Sequence, residues 1–136
     1  MSKTTHFSIF AALGAVALFL ASPTDAARSY SIQTGADLAE VCAAPADANA
    51  ITDEERHRLN ICGSYIQGFL GHYAMARSKM SEPDFCLPPE GVAADRVRLL
   101  LLALLEQKPQ IRDLPANVDL ATSLAWGYPC NGAGAR

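Results

Sequence analysis

Residues 52–80 read TDEERHRLNICGSYIQGFLGHYAMARSKM and predict the longest helix of this chain, roughly 53–79. Thr52 and Glu55 open it as a capping box, in which each side chain accepts a hydrogen bond from the other residue's backbone N–H. Apolar residues then recur three and four positions apart, and this spacing places them on one helical face. They are Leu59, Cys62, Ile66, Phe69, Tyr73, Ala76 and Met80. This stretch therefore predicts an amphipathic helix that supplies one wall of a core.

Small residues, Ser64, Gly68 and Gly71, fall on nearly the opposite face of the same helix. Each glycine inside a helix costs about 1 kcal/mol relative to alanine. The stripe therefore indicates that another backbone approaches closely, and a locally weak or kinked helix explains it equally well.

The remaining sequence predicts three further helices. A short first helix covers about 36–44 with Thr34 as its cap, and a third covers about 92–107. A fourth begins at Pro115, which suits a first helical turn, and ends near Trp126 with Gly127 as its stop. Because β-branched residues are few and no stretch alternates with period two, the fold class is all-α, a small bundle of four or slightly more helices.

The third helix is unusually apolar. Its core stripe is Val97, Leu100, Leu101, Leu104 and Leu105. Leu99 and Leu102 lie well off that stripe, and a helix that is apolar on both sides is either deeply buried or part of an interface.

We interpret Trp126 and Tyr128, at the end of the fourth helix, as core residues.

The N-terminus has the three parts of a secretory signal peptide. Lys3 precedes an apolar run over residues 7–21, and small residues follow at 24–26. The run has 15 residues, whereas a membrane-spanning helix needs about 20; a retained membrane anchor is the alternative. We expect a cleavable signal over residues 1–26 and a single domain over residues 27–136, free of the membrane after cleavage and delivered to an oxidising compartment.

The mature chain would carry four cysteines, Cys42, Cys62, Cys86 and Cys130. In an oxidising compartment we expect them to pair, and the sequence alone leaves three pairings open. If helices three and four form an antiparallel hairpin, Cys86 lies beside Cys130, and Cys42 then pairs with Cys62. Each such bridge is worth about 3 to 4 kcal/mol in the chain-entropy model. A redox or metal role is the alternative, although no C-x-x-C motif is present.

Composition and motifs argue against several classes of function. The net charge is −3 over 136 residues and the basic residues are scattered, so we expect no nucleic-acid partner. His57 and His72 are the histidines of the mature chain, about 22 Å apart along one helix, too far to act together. The sequence contains no hydrolase motif, no metalloprotease motif and no Gly-rich phosphate-binding loop. We therefore predict a protein that is not an enzyme and uses no cofactor or metal.

Four elements of the sequence together resemble a known family. They are Cys62-x-x-Tyr65-x-x-Gly68-Phe69 on the long helix, Phe85-Cys86-x-Pro88, a Leu-rich helix ending at Pro109, and the terminal Tyr128-Pro129-Cys130. In order and spacing they resemble the Rap/Tai family of immunity proteins, which protect Gram-negative bacteria against peptidoglycan amidases injected by type VI secretion. The resemblance covers about residues 36–130.

The resemblance implies a small, all-α, disulfide-bonded periplasmic protein without catalysis, often a homodimer. It also implies a partner, a cognate peptidoglycan amidase toxin whose cleft the protein blocks. The matched positions have the character of scaffold: Cys62, Tyr65, Gly68, Cys86, Pro88 and Cys130. They do not mark the surface that contacts the amidase.

A candidate for that surface is the 108–114 loop, KPQIRDL, where Lys108, Gln110, Arg112 and Asp113 surround Ile111. A loop held between two helices and stapled by a disulfide loses little entropy on entering a cleft. A plain solvated connection is the alternative. Leu99, Leu102 and the small-residue stripe suit a homodimer interface, and packing of the first helix over the same surface explains them as well.

Two other functional classes fit a small exported helical protein. One is an acid-stress chaperone of the HdeA type, which exposes apolar surface at low pH. The other is an envelope protein that keeps this scaffold and has neither role. An adjacent gene for a small Cys/His amidase would favour the immunity protein over both.

Overall fold

The structure is a computed structural model that describes residues 30–45 and 47–130. Those residues form four α-helices and one 3-10 helix: α1 Gly35–Cys42, α2 Asp53–Arg77, α3 Ala94–Gln107, the 3-10 helix Pro109–Ile111, and α4 Ala116–Gly127. The all-α, four-helix prediction is confirmed. The first helix ends at Cys42 rather than near residue 44, and the third begins at residue 94 rather than 92. The expected signal peptide over 1–26 lies outside the described residues.

Reciprocal capping boxes fix the starts of the first two helices. At α2, Glu55 N–H donates to Thr52 Oγ1 at 3.2 Å, and Thr52 N–H donates to Glu55 Oε2 at 2.9 Å. At α1, Asp37 N–H donates to Thr34 Oγ1 at 3.2 Å, and Thr34 N–H donates to Asp37 Oδ2 at 2.8 Å. These bonds satisfy backbone N–H groups that have no partner within the helix. The α2 box and the Thr34 cap are confirmed.

All four helices contribute to one core. Its apolar members are fully or almost fully buried: Leu38, Val41, Cys42, Cys62, Ile66, Tyr73, Phe85, Val97, Leu101, Leu104, Leu105, Ala116, Leu120 and Leu124. Tyr73 and Phe85 stack with ring centroids 4.0 Å apart, and the Tyr73 hydroxyl donates to the Phe85 carbonyl. This stacked pair fastens the segment between α2 and α3 to the core.

The apolar side chains singled out on the third and fourth helices differ in how far they are exposed to solvent. Leu102 packs against the core, whereas Leu99 is 49% exposed. The interpretation of Trp126 as a core residue was wrong, because its side chain is 45% exposed. Trp126 lies about 200° around α4 from the buried Leu124 at 3.6 residues per turn. Tyr128 does pack against the core.

The small-residue stripe of α2 faces outward. Ser64, Gly68 and Gly71 are exposed, and no atom lies within 4 Å of the place where a Cβ on either glycine would stand. Packing of α1 over this surface is therefore wrong, since α1 contacts α2 elsewhere. Gly68 and Gly71 leave an open face on the longest helix.

Two disulfides join the chain. Cys42, at the end of α1, is bonded to Cys62 on α2, with Cα atoms 5.1 Å apart. Cys86, before α3, is bonded to Cys130, after α4, with Cα atoms 4.8 Å apart. These are the pairs that an antiparallel hairpin of α3 and α4 predicts. The first bridge secures α1 to the bundle, and the second closes one end of the hairpin.

Two arginines hold the C-terminal end of α1. Arg58 Nη1 donates to the Glu40 carbonyl at 2.8 Å, and Arg98 Nη1 donates to the Cys42 carbonyl at 3.1 Å. The last carbonyls of a helix have no partner within it and carry partial negative charge, so cationic donors there stabilise it. Arg98 also pairs with Asp95 at 2.8 Å.

We expect Arg98→Ala to lower the free energy of unfolding by about 1–2 kcal/mol, because it removes a mostly buried donor to the α1 terminus. Arg96→Ala, an exposed position on the same helix, should change it by less than about 0.5 kcal/mol. Urea unfolding followed by circular dichroism measures both. Equal effects of the two variants would contradict the role given to Arg98.

Candidate partner-binding loop

The 108–114 loop lies at the end of the α3–α4 hairpin opposite the Cys86–Cys130 bridge, because that bridge joins the start of α3 to the end of α4. The disulfide therefore does not staple the loop directly, which corrects the sequence-based argument. Hydrogen bonds order the loop instead.

Within the loop, backbone bonds make a compact turn. Ile111 N–H donates to the Lys108 carbonyl at 3.2 Å, Arg112 N–H to the Pro109 carbonyl at 3.3 Å, and Leu114 N–H to the Ile111 carbonyl at 2.9 Å. Pro109 suits the start of the 3-10 helix because its fixed φ matches a first helical turn. Ile111 packs against the core from inside the turn.

Three further backbone hydrogen bonds attach the loop to the start of α1. Gly35 N–H donates to the Leu114 carbonyl at 2.9 Å, Ala36 N–H to the Arg112 carbonyl at 2.9 Å, and Ala116 N–H to the Gln33 carbonyl at 2.8 Å. We call these three bonds the loop clip. They satisfy two of the N–H groups that α1 cannot pair internally, and they fix both the turn and the start of α4.

The side chains singled out in the sequence are displayed at this turn. Lys108, Gln110, Arg112 and Asp113 are exposed, while Ile111 is partly buried. The Arg112 side chain is directed by a 3.3 Å hydrogen bond from Nε to the Leu105 carbonyl.

Leu114, the last residue of the loop, and Val118, in the first turn of α4, were not singled out in the sequence. They are 42% and 41% exposed, and neither belongs to a periodic stripe that would signal an interface. The loop thus combines charged and amide groups with an apolar margin, a composition typical of protein-binding surfaces.

Other concave surfaces carry little chemistry. One groove is lined by Ile32, His57, Asn60, Ile61, Ser64 and Tyr65, and a second lies between α2 and the start of α3. Burial raises the pKa of the Tyr65 phenol. Among residues 30–45 and 47–130, no three His, Cys, Asp or Glu side chains are grouped to hold a metal ion. No helix in that part of the chain is long and apolar enough to cross a membrane.

A family model described as Rap1a immunity proteins matches residues 34–130. The match begins at the cap of α1 and ends at the last disulfide cysteine, and it includes both bridges and two of the three bonds of the loop clip. The chain belongs to the Rap1a immunity protein family. No curated protein and no solved structure matches the chain.

Membership in the Rap1a family makes this chain an immunity protein, whose partner is a cognate effector toxin. The resemblance inferred from the sequence is confirmed. Because an immunity protein binds its toxin, its functional site includes a binding surface. The residues to consider in such a site are those that hold an exposed loop in one conformation.

Beneath the loop of this Rap1a protein lies a buried carboxyl that the sequence analysis missed. Asp119 on α4 is fully buried, and neither of its carboxyl oxygens has a hydrogen-bond partner among residues 30–45 and 47–130. Burial without a partner penalises the charged form, so the pKa of Asp119 is raised above its ordinary value. An aspartate within a predicted helix normally indicates an exposed helical face. The burial of Asp119 is seen only when the helices are packed together.

Gly35 is the neighbour that makes room for this carboxyl. A Cβ at Gly35 would lie 1.7 Å from Asp119 Oδ2, 2.8 Å from its Cγ and 3.3 Å from the Arg112 carbonyl oxygen. A side chain cannot occupy that space. Gly35 is therefore required by the close approach of α4 and the loop, in contrast to the open glycines of α2.

The two perturbed aspartates act on stability in opposite directions. Hydrogen bonds from Thr34 N–H, Gln33 N–H and the Thr34 hydroxyl lower the pKa of Asp37, so its contribution is present above pH 3.8 and is lost as pH falls through its folded pKa. Because the pKa of Asp119 is raised, the native state binds more protons than the unfolded state above pH 3.8. Acidification through that window therefore stabilises the fold through Asp119.

We expect Gly35→Ala to lower the free energy of unfolding by about 1–3 kcal/mol, because the methyl group forces Asp119 or the loop to move. The matched control is Gly63→Ala, an open position inside α2, which should raise it by about 0.5–1 kcal/mol. Chemical denaturation of both variants measures the difference. A Gly35→Ala variant as stable as the unmodified protein would show that the buried contact is absent.

Proposed function

We propose that this Rap1a immunity protein is exported to the periplasm, where it binds a peptidoglycan amidase delivered by type VI secretion and inhibits it. In this proposal the 108–114 loop enters the active-site cleft of the amidase and occludes it. The observation that carries the proposal is the exposed turn at residues 108–113, held in place by the loop clip.

The order of the loop favours insertion into a cleft. A flexible segment loses conformational freedom on binding, at about 0.5–1.5 kcal/mol for each immobilised side chain, and an ordered one avoids part of that loss. Here the backbone is fixed by bonds within the turn and to α1, and Ile111 anchors it from below. Lys108, Gln110 and Asp113 remain exposed for a partner.

The disulfides support the proposed compartment. All four cysteines of the described residues are bonded and none is free. Such bonds persist in the periplasm and are rare in the cytosol. The signal-peptide pattern over residues 1–26 agrees with export, because its charged start, apolar run and small residues occur in the required order.

An acid-stress chaperone of the HdeA type would need apolar surface to be exposed on acidification. Asp119 works against such a switch, since burial raises its pKa and the fold gains stability from it as pH falls towards 3.8. Two disulfides also restrain unfolding. Nothing in the described residues favours this function over inhibition.

The test starts with capture of proteins from the host's secreted and periplasmic fractions on the oxidised protein. A captured amidase must then lose peptidoglycan hydrolysis when the immunity protein is added. Capture of proteins without amidase activity, or an amidase that stays active when saturated, would contradict the proposal. Suppression of aggregation at pH 2–3 without amidase binding would instead favour the chaperone.

We expect the triple variant Lys108→Ala, Gln110→Ala, Asp113→Ala to weaken inhibition at least tenfold, about 1.4 kcal/mol of binding free energy. Its thermal stability should be unchanged because all three side chains are exposed. The matched control replaces an exposed lysine, glutamine and acid elsewhere: Lys79→Ala, Gln67→Ala, Glu82→Ala. Titration of amidase turnover measures both, and equal inhibition by the two would exclude the loop as the inhibitory surface.

We also propose that a second copy of the chain covers part of the exposed apolar surface, giving a homodimer. Leu99 is 49% exposed on α3, and the outward face of α2 at Gly68 and Gly71 is open. In such a dimer Leu99 would be buried at the interface, and Gly68 and Gly71 would let the backbone of the second copy approach closely.

For the dimer, Leu99→Glu should produce a monomer with unchanged helical content, because a charge at a dry interface is strongly unfavourable. Gln107→Glu, at an exposed position of the same helix, should leave the dimer intact. Sedimentation velocity with circular dichroism separates the outcomes. A monomeric unmodified protein, or a variant that unfolds, would contradict this interface.

A further inference from the structure

We infer that Asp119 is a positioning residue for the 108–114 loop: its neutral form tightens the loop clip and its ionised form loosens it, so that partner binding becomes sensitive to pH. The first half concerns the loop alone. The link to binding rests on the proposed function. Nothing in the family membership assigns a role to this carboxyl.

The geometry places Asp119 directly at the loop clip. The space beside the Gly35 Cα is bounded by Asp119 Oδ2 and by the Arg112 carbonyl oxygen, which lie 1.7 Å and 3.3 Å from a Cβ built there. The Gly35 and Ala36 N–H groups that face this region already donate to Leu114 and Arg112. Two bonds of the clip thus border the buried carboxyl.

The start of α1 cannot compensate a charge on Asp119. A helix N-terminus favours an anion through its unpaired N–H groups and its dipole. Here Gly35 and Ala36 donate to the loop, and Asp37 N–H donates to Thr34 Oγ1. The Asp37 carboxylate already occupies the favourable position in the capping box. An ionised Asp119 would therefore be a second anion with no free donor.

The elements around Asp119 place no cationic group within hydrogen-bond distance of its carboxyl in the described part of the chain. Their charged residues are Asp37 and Glu40 on α1, Asp95, Arg96, Arg98 and Glu106 on α3, and Lys108, Arg112 and Asp113 on the loop. Asp119 has no hydrogen-bond partner among the described residues. Two of these arginines donate to other groups, Arg112 Nε to the Leu105 carbonyl and Arg98 to Asp95 and the Cys42 carbonyl.

The two protonation states therefore act differently on the clip. A neutral carboxyl has an O–H that can donate to a carbonyl such as that of Arg112, and it places no charge in a dry site. An ionised carboxylate can only accept, and the atom bordering the same space is another acceptor. Ionisation is relieved when the loop opens and admits water, so the opened form is favoured as pH rises. This agrees with the raised pKa of Asp119.

Amide hydrogen exchange of the oxidised protein tests the positioning role without any partner. We expect the protection factors of the Gly35, Ala36 and Ala116 amides to be at least about threefold higher at pH 4 than at pH 7.5, because opening of the clip is disfavoured when Asp119 is neutral. In Asp119→Asn, which keeps the shape and loses the charge, they should be independent of pH. Protection factors already correct for the intrinsic pH dependence of exchange.

Two controls make the result specific. The Arg56 amide, bonded to the Thr52 carbonyl at the other capping box, should show no such change. Asp84→Asn, which removes an exposed carboxylate between α2 and α3, should behave like the unmodified protein. Protection at the clip that does not change with pH, or that changes equally in Asp119→Asn, would overturn the inference.

If Asp119→Asn does not fold, carbon NMR of the Asp119 carboxyl in the unmodified protein replaces it. The carboxyl must titrate in step with the clip amides, and a carboxylate ionised throughout pH 4–7.5 would overturn the proposal.

Binding to a captured amidase tests the second half. We expect the affinity of the unmodified protein for the amidase, divided by that of Asp119→Asn, to fall about threefold from pH 4 to pH 7.5. Because both proteins bind the same amidase, this ratio removes the effect of titrating groups on the amidase. A constant ratio together with pH-dependent protection would overturn the link to binding. Absence of any amidase binding would refute the proposed function, while the exchange data would still decide the role of Asp119.

Discussion

Helix α1 is held by hydrogen bonds at both of its ends, in addition to the burial of Leu38 and Val41 in the core. Eight residues are too few for a helix to be stable alone in water, so tertiary contacts must maintain it. At its start the loop clip and the Thr34–Asp37 box use the unpaired N–H groups. At its end Arg58 and Arg98 donate to the Glu40 and Cys42 carbonyls beside the Cys42–Cys62 bridge. Because α1 contacts α2, α3 and α4, its placement fixes the loop between the last two helices.

The two ends of the α3–α4 hairpin are closed by different chemistry. One end has the Cys86–Cys130 bridge, supported by a 2.8 Å bond from Cys86 N–H to the Tyr128 carbonyl. The other end, which presents the 108–114 loop, is held by noncovalent contacts, mainly backbone hydrogen bonds, with the Arg112 side-chain bond and the packing of Ile111. A covalent bond does not respond to pH, whereas backbone bonds beside a titratable group can. The exposed end of the hairpin is thus the adjustable one.

The buried carboxyl is costly in a domain of this size. Small domains have little stability to spare, and a polar group buried without a partner reduces it by about 1–3 kcal/mol. The cost falls where the protein presents its proposed binding surface, and it is offset by the disulfides and by the stacked Tyr73 and Phe85. Stability and positioning are therefore served by different parts of the bundle.

Features that depend on neighbours along the chain could be predicted from local patterns. The capping box of α2, the number and type of the helices, and the family all follow from local patterns such as Thr52 with Glu55. The hairpin argument also arrived at the two disulfide pairs. The sequence also predicted the position of the 108–114 loop and the exposure of its polar residues, because a short polar segment between two apolar helices must lie at the surface.

The rotation of each helix and the contacts at its ends became visible once the four helices were packed together. Trp126 faces outward, the stripe at Gly68 and Gly71 stays open, and Asp119 is buried against Gly35. The loop clip joins residues 33–36 to residues 112–116, and no local pattern encodes a contact across so long a stretch of chain. These outcomes depend on how all four helices share one small core, since burying one face of a helix determines which side chains the opposite face must expose.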